Sequence, residues 1–370
     1  MAHPPRLVDL VHDRLEEFLD DRASILRSIS PDLDRFGAFS KRFLSGGKRF
    51  RALFCYWGWE AVGARGPEAL GGRDTGERFA VVSAASALEV FHAAALVHDD
   101  IIDNSDTRRG APAAHRLFES LHRESGWAGD GDGYGRASAI LLGDLLLGWS
   151  DELLDEGLAT LHDPRAARAA RLEFNRMRTE VTAGQYLDIL EERAWLAQPE
   201  AEQRTRAERV IVYKSAKYSI ESPLAIGASI AGGTVGQIDG LRSFGLPLGI
   251  AFQLRDDLLG VYGDPAVTGK PAGDDLREGK RTLLVAIARE RLAAGQRRLL
   301  DELLGDAALD ADQVRMLQQT IRECGAVDEV EGMIAANMDR AMTALDDAPI
   351  SREARAELGS MAKIVTRRAS

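Results

Sequence analysis

The stretch ALVHDDIIDNSDTRRG, Ala95 to Gly110, ends an apolar run in three carboxylates, Asp99, Asp100 and Asp103, with Arg108 and Arg109 close behind. On a helix, Asp99 and Asp103 lie one turn apart on one face. Two carboxylates so placed at the end of a buried helix repel each other unless a cation sits between them. Hard divalent ions take oxygen ligands, and magnesium is commonly held by one or two carboxylates together with a substrate's phosphates. The arginines then add forked donors that match phosphate oxygens. Read alone, the cluster is equally a solvated acidic helix end followed by a basic loop.

A second acidic cluster, Asp256 and Asp257 in FQLRDDLLGVYGD, follows another apolar helical run. Two helices presenting carboxylates towards one cavity would hold several magnesium ions and a diphosphate. Basic residues recur at matching places: Lys48, Arg49 and Arg51 in SGGKRFR, Lys214 in VYKSA, and Lys270 and Lys280 in VTGKPAGDDLREGKRT. Each alone reads as a surface residue. Together, in a chain of formal charge -11, they argue for an anionic substrate held by local cations.

The elements that must position these groups are helices. Alanine, leucine, arginine and glutamate dominate, only 6% of residues are aromatic, and the 370-residue chain is long enough for a sizeable core. Helical spacing predicts an opening amphipathic helix at LVDLVHDRLEEFLDDRASIL and a buried one at FRALFCYWGWEAVGA. A very long helix is expected at RFAVVSAASALEVFHAAALVHDDIID, with others at RASAILLGDLLLGWSDELLDEGL, RAARAARLEFNRMRTEVTAGQYLDILEE, ERVIVYKSAKYSIESPLAIGASIAG and GLRSFGLPLGIAFQLRDDLLG. Three amphipathic segments follow Arg281. Gly/Pro-rich loops are expected at Ala64 to Gly76, Ser125 to Gly135 and Gly263 to Gly279, with no strand pattern and no domain linker. The expectation is one all-α domain over residues 1–370.

Several classes are excluded. The acidic balance lacks the basic face that a nucleic acid needs. Cys55 and Cys324 are the two cysteines, far apart and outside any metal spacing, so they read as ordinary thiols of a reducing cytoplasm. The N-terminus is too acidic for a signal peptide. The most apolar window, Phe79 to Val97, is broken by Ser83, Ser86, Glu89 and His92, so a buried helix is expected there and not a transmembrane segment.

In order and in residues, the motifs GGKRFR, HDDIIDNSDTRRGAPAAH, LLGDLLL, GQYLD, YKSA, FQLRDD and GKPAGDDLREGKRT resemble those of the trans-isoprenyl diphosphate synthases of the polyprenyl synthetase family, from about Lys41 to Leu284. The resemblance implies an isoprenoid synthase-type bundle of antiparallel helices around a central cavity. It implies head-to-tail condensation of isopentenyl diphosphate with an allylic diphosphate, releasing pyrophosphate. Asp99 and Asp103 would hold two of three magnesium ions and Asp256 the third, with Asp100 in support. Arg108, Lys214 and Lys270 would hold the allylic diphosphate, with Lys280 nearby. Lys48, Arg51, His92 and Arg109 would form the metal-free pocket of the second diphosphate. Gln185, Asp188 and Gln253 resemble polar cavity residues, and Ser215 keeps a hydroxyl where the family often has threonine. The released pyrophosphate would take the final proton. The family also implies a homodimer.

One position departs from the pattern: the second motif is commonly DDxxD, and here Gly260 takes the last place, leaving Asp264, Asp274 and Asp275 in the following loop. Product length in the family is set beneath the first motif. Ala94 and Ala95, the fifth and fourth residues before Asp99, are small, and Phe91 is the first bulky residue further down. At about 5.4 Å per turn, that leaves room beyond a farnesyl-length product, so geranylgeranyl diphosphate is expected and longer chains are the nearest rival. Three other readings stand further off. A class I terpene cyclase would not need GGKRFR. A non-catalytic partner subunit is suggested by Gly260 alone. A metal phosphohydrolase built on VHDD would need further placed histidines, which the seven present do not supply.

Overall fold

Alanine- and leucine-rich segments become helices wherever glycine and proline do not interrupt them. The computed structural model, which describes residues 7–63, 75–108, 110–264 and 273–366, is helical almost throughout. The one sheet among the described residues is a two-residue antiparallel pair, Thr107–Arg108 with Ala111–Pro112. The described chain divides into two units, the first running to Arg171 and taking in Pro223–Thr234, the second holding Leu172–Ser222 and the chain from Val235 on.

The first unit is built on α1 (Leu7–Ile29), α2 (Asp34–Leu44), α3 (Phe50–Ala61), α4 (Thr75–Ile102), α5 (Ala114–Glu124) and α6 (Gly131–Leu158). Helix α4 is its core. Ala80, Ala84, Ala85, Ala87, Leu88, Val90 and Ala94 are all fully buried, and 83% of its most apolar stretch is enclosed by protein. Helix α6 approaches closely because glycines face α4: a Cβ at Gly157 would lie 2.6 Å from Ser83 Cβ. Helix α1 is tied to the end of α6 by Arg14 and Arg22, which pair with Glu156 and Glu152. Helix α9 (Ser222–Ile230) crosses α3 so tightly that a Cβ on Gly227 would fall 1.8 Å from the Cys55 carbonyl oxygen. Cys55 is fully buried beneath this crossing, and burial pushes its thiol well above the usual range.

Helix α7 (Pro164–Ala194) is followed by α8 (Gln203–Val210), a π-helix over Ile211–Glu221, and α10 (Val235–Tyr262). The second unit's core gathers Leu254, Leu258, Leu276, Leu284, Ile287 and Val330 from α10 and the helices after it. Arg255 of α10 grips Glu331 with two bonds, of 2.6 and 2.7 Å.

The structure corrects several element boundaries. Helices α2 and α5 were not expected. Helix α6 begins at Gly131, inside the segment expected as a loop, because Asp130 accepts from the backbone of Asp132 and caps it. The expected long helix at 208–232 is instead α8, the π-helix and α9. Among the described residues five helices follow Arg281 instead of three: Leu283–Arg291, Ala294–Leu303, Ala311–Glu323, Ala326–Asp347 and Arg352–Thr366. The loop expected from Gly263 contains a short helix, Asp274–Glu278.

Candidate active site

Helix α4 ends on the first acidic cluster. Asp103 N donates to Asp99 O at 2.8 Å and Ser105 N to Asp100 O at 2.9 Å, and Asn104 then turns the chain with φ 56°. The two-residue hairpin, cornered by Gly110 at φ 73°, returns the chain to the helix end. Arg108 is thereby delivered onto the cluster. Its Nε donates to Asp100 Oδ1 at 2.8 Å, a terminal nitrogen also bonds Asp100, and the same nitrogen lies 3.4 Å from Asp99 Oδ2. Asp100 is only 1% exposed, and the Arg108 guanidinium bonds its carboxylate in the interior. Asp99 and Asp103 stay partly exposed at the helix end, with His92, also partly exposed, two turns before Asp99. Arg109 lies outside the described residues.

The SGGKRFR turn is made from left-handed residues, Gly46 at φ 75°, Gly47 at φ 87° and Arg49 at φ 47°. Arg49 is not one of the substrate-facing cations. Its guanidinium is buried, donates to Leu44 O at 2.9 Å and lies 3.8 Å from Glu89 of α4, which also accepts from Ala52 N at the start of α3. Arg49 thus anchors the turn, leaving Lys48 exposed and Arg51 half-buried. Lower on α4, Phe91 and Ala94 are buried while Ala95 is partly exposed.

His115, at the end of RRGAPAAH, is 1% exposed with neither ring nitrogen hydrogen-bonded. Burial first, then Arg116 and Arg136, lower its pKa below 6.5. The folded chain therefore resists a proton that the unfolded chain accepts, so stability falls as pH drops through 6.5 and below. His115→Phe is expected to flatten this acid limb, read as a smaller loss of Tm between pH 7.5 and 5.5. An unchanged slope would assign the acid sensitivity elsewhere.

In the second unit, helix α7 carries Glu180, Gly184 and Asp188 at four-residue spacing, one face of the helix. All three meet the π-helix. Lys217 Nζ bonds Glu180 at 2.8 Å, Lys214 Nζ bonds Asp188, and a Cβ on Gly184 would lie 2.3 Å from Lys214 N. The glycine of GQYLD thus lets the YKSA backbone settle on α7, which fixes the ammonium of Lys214. Long π-helical runs are rare and cluster at functional sites. Ser215 and Gln185 are half-buried on these same two elements.

On α10 the neighbouring carboxylates differ. Asp256 is exposed, while Asp257 is buried and accepts from Gln253 Nε2 at 2.8 Å. Burial pushes Asp257 up to about 8; the Gln253 hydrogen bond opposes this, and the charges of Asp275, Asp256 and Asp188 add to it. Asp275, expected in a loop, sits instead on the short helix Asp274–Glu278 with its carboxylate against Gly260. Lys280 pairs with Glu278 at 2.9 Å, and the next residue, Arg281, is stacked 3.6 Å over Trp195 and bonded to Asp301. Lys270 lies outside the described residues. Sequence reasoning gave no role to Asp275 or Gly184. Gly260 at the end of the second motif signalled the first, and the glycine one turn before Asp188 signalled the second.

These donor sets suit a hard divalent cation. Asp99 with Asp103, and Asp256 with the surplus negative charge felt by Asp257, are oxygen donors whose repulsion such an ion relieves. Among the described residues no three acidic, histidine or cysteine side chains already gather about one point.

Residues 35–321 match the family model for polyprenyl synthetase. The chain is 33% identical over 324 residues to the geranylfarnesyl diphosphate synthase of Aeropyrum pernix, covering 87% of this chain and 90% of that one. It is 30% identical over 310 residues to the geranylgeranyl diphosphate synthase of Sulfolobus acidocaldarius, covering 83% of each. Among solved structures, a geranylgeranyl pyrophosphate synthase from Corynebacterium glutamicum, complexed with isoprenyl diphosphate and magnesium, superposes with a TM-score of 0.90 at 40% identity, over 98% of this chain and 99% of that one. The all-α isoprenoid synthase fold is common to both.

Proposed function

Because the chain belongs to the polyprenyl synthetase family, we propose that it joins isopentenyl diphosphate head-to-tail to an allylic diphosphate, with geranylgeranyl diphosphate as its product. Trans-prenyl transfer is the activity common to its relatives. The observation that carries the reading is the first acidic cluster: Asp99 and Asp103 are partly exposed at the end of α4, and Arg108 is locked at the same helix end by Asp100. A fixed cation next to paired carboxylates is what a departing diphosphate requires.

Magnesium, in three ions, is the divalent cation proposed, and when bound it supplies the charge neutralisation that lets the allylic C–O bond ionise. The chain's own residues divide the remaining work. Asp99, Asp103 and Asp256 hold the ions. Arg108 has its plane set by Asp100 and keeps a fixed direction towards phosphate oxygens, so its orientation is settled before substrate arrives. Lys214, steadied by Asp188, adds a point charge to the allylic diphosphate, with Lys270 and Lys280. Lys48, Arg51, His92 and Arg109 receive the diphosphate of the second substrate. With no dedicated base in the assignment, the released pyrophosphate takes the last proton. The proposal extends to residues 1–370 acting as one synthase domain, as a homodimer in the cytoplasm, whose lipid-tailed product leaves for a membrane or another protein.

The test is a product assay: purified protein with magnesium, labelled isopentenyl diphosphate and, separately, dimethylallyl, geranyl and farnesyl diphosphates, the dephosphorylated chains then being sized. A discrete alcohol of geranylgeranyl length supports the reading. A chain one unit longer supports a second reading, favoured by the geranylfarnesyl relative. No incorporation with any primer removes both. The pocket has its own test. Ala94→Phe and Ala95→Phe are each expected to shorten the product, and an unchanged product from both would place the floor elsewhere.

A further inference from the structure

Gly260 stands where the second acidic motif of the family commonly ends in an aspartate, and its place is not empty. A Cβ built on Gly260 would lie 1.8 Å from Oδ2 of Asp275, 2.3 Å from its Cγ and 2.8 Å from its Oδ1. The carboxylate of Asp275 therefore occupies the volume that any side chain at 260 would need. Gly260 is four residues after Asp256 on α10, one turn along the same face, so this carboxylate arrives where the missing one would have projected.

The backbone at Asp275 is fixed there from both sides. Its short helix is bracketed by Gly273 and Gly279, both left-handed, at φ 72° and 79°. Leu276 is fully buried, and its carbonyl accepts from Gly305 N at 2.9 Å. Gly279 packs on Gly305 so closely that a Cβ would fall 2.8 Å from the Gly305 Cα. The Asp275 carbonyl accepts from Gly279 N at 3.1 Å and Lys280 N at 3.0 Å, which ties its position to that of Lys280. These contacts hold the backbone of the segment in place, while the Asp275 side chain keeps its own rotamer freedom.

We infer that Asp275 stands in for the absent last carboxylate of the second acidic motif, seated by the lack of a side chain at Gly260. Restoring the family's aspartate at position 260 would then harm the enzyme, because the introduced carboxylate and that of Asp275 compete for one volume with like charge. The identity of the ion served rests on the prenyl-transfer reading; the packing does not.

Four proteins decide it: wild type, Gly260→Asp, Asp275→Asn, and the exchange Gly260→Asp with Asp275→Ala. Each is unfolded thermally with and without magnesium plus inorganic pyrophosphate, and its magnesium dependence of condensation is measured. Gly260→Asp must turn the Asp275 carboxylate to another rotamer, so its ion-free Tm is expected to fall by a few degrees at most. Its kcat/KM should fall by about 10- to 100-fold, the usual loss when a group around a metal is displaced. Asp275→Asn keeps the shape, so its ion-free Tm should stay near that of wild type. Its magnesium requirement should rise about 10-fold, and the Tm gain given by magnesium pyrophosphate should shrink. The exchange should recover part of both. A stable, fully active Gly260→Asp, or an Asp275→Asn with wild-type magnesium dependence and wild-type ion-induced Tm gain, overturns the inference. A wild type that makes no product but gains Tm with magnesium pyrophosphate, a gain lost in Asp275→Asn, sinks prenyl transfer and leaves the inference standing.

Discussion

Arg108→Gln is expected to lower kcat by about 100- to 1,000-fold, the usual loss when one positioned donor to a developing charge is removed. It should also lower stability. Asp100 is 1% exposed and its carboxylate is bonded by Arg108 at Nε and at a terminal nitrogen. Removing one partner of a buried ion pair costs about 3–5 kcal/mol. The two effects separate in a second variant. Arg108→Gln with Asp100→Asn removes both charges, so stability should largely return while kcat stays low, because nothing replaces the guanidinium beside Asp99. Arg108→Lys should fall between, since an ammonium keeps the charge and loses the fork. Denaturant unfolding and steady-state rates on the same samples check this. If the double variant recovers its rate, the guanidinium serves only to hold Asp100, and the phosphate role belongs to another residue.

Gly184→Val is expected to damage fold and rate together. The atoms a Cβ would meet are the Lys214 backbone nitrogen at 2.3 Å and the Tyr213 carbonyl carbon at 2.5 Å. Backbone cannot swing aside as the tip of a flexible side chain can. Overpacking at such a place costs about 3 kcal/mol. The relief available is to push the π-helix off α7, which draws Lys214 from Asp188 and Lys217 from Glu180. A displacement of about 1 Å in a positioning group can cost about 100-fold in rate, and that is the loss in kcat/KM expected here. Lys217→Met gives the comparison, a modest loss of stability with the rate retained, because it leaves Lys214 seated. An unaltered Tm in Gly184→Val would mean that the π-helix yields freely and that the glycine is not what seats Lys214.

The parts of the fold that showed in the sequence are those with clear apolar periodicity, α1, α3, α4, α6, α7 and α10. Their faces repeat often enough to stand out. What did not show has a physical reason in each case. IVYKSAKYSIE carries nothing that separates a π-helix from an α-helix, since the difference lies in which carbonyl each N–H selects. Helix α5 is eleven residues between a hairpin and a turn, too few to establish a period. Within SGGKRFR, Lys48 and Arg49 are neighbours of like charge. Glu89, forty residues on, decides that Arg49 turns inward. The first acidic cluster was legible because its residues are local to one helix end. The Asp275 contact was not, because it joins residues fifteen apart across an intervening segment, and pattern reading follows a single helix face.

The crossing of α3 and α9 has a consequence for handling the protein. Cys55 is sealed beneath Gly227 with its thiol held protonated, whereas Cys324 is half-exposed at the end of helix Ala311–Glu323. Cys324 is thus the more accessible of the two sulfurs, and a dye or spin label is expected to attach there before it attaches at Cys55. The same asymmetry makes Cys324 the sulfur through which air-oxidised chains would become linked. A covalent pair on a non-reducing gel thus reports the storage conditions, and subunit assembly has to be measured in the presence of reductant.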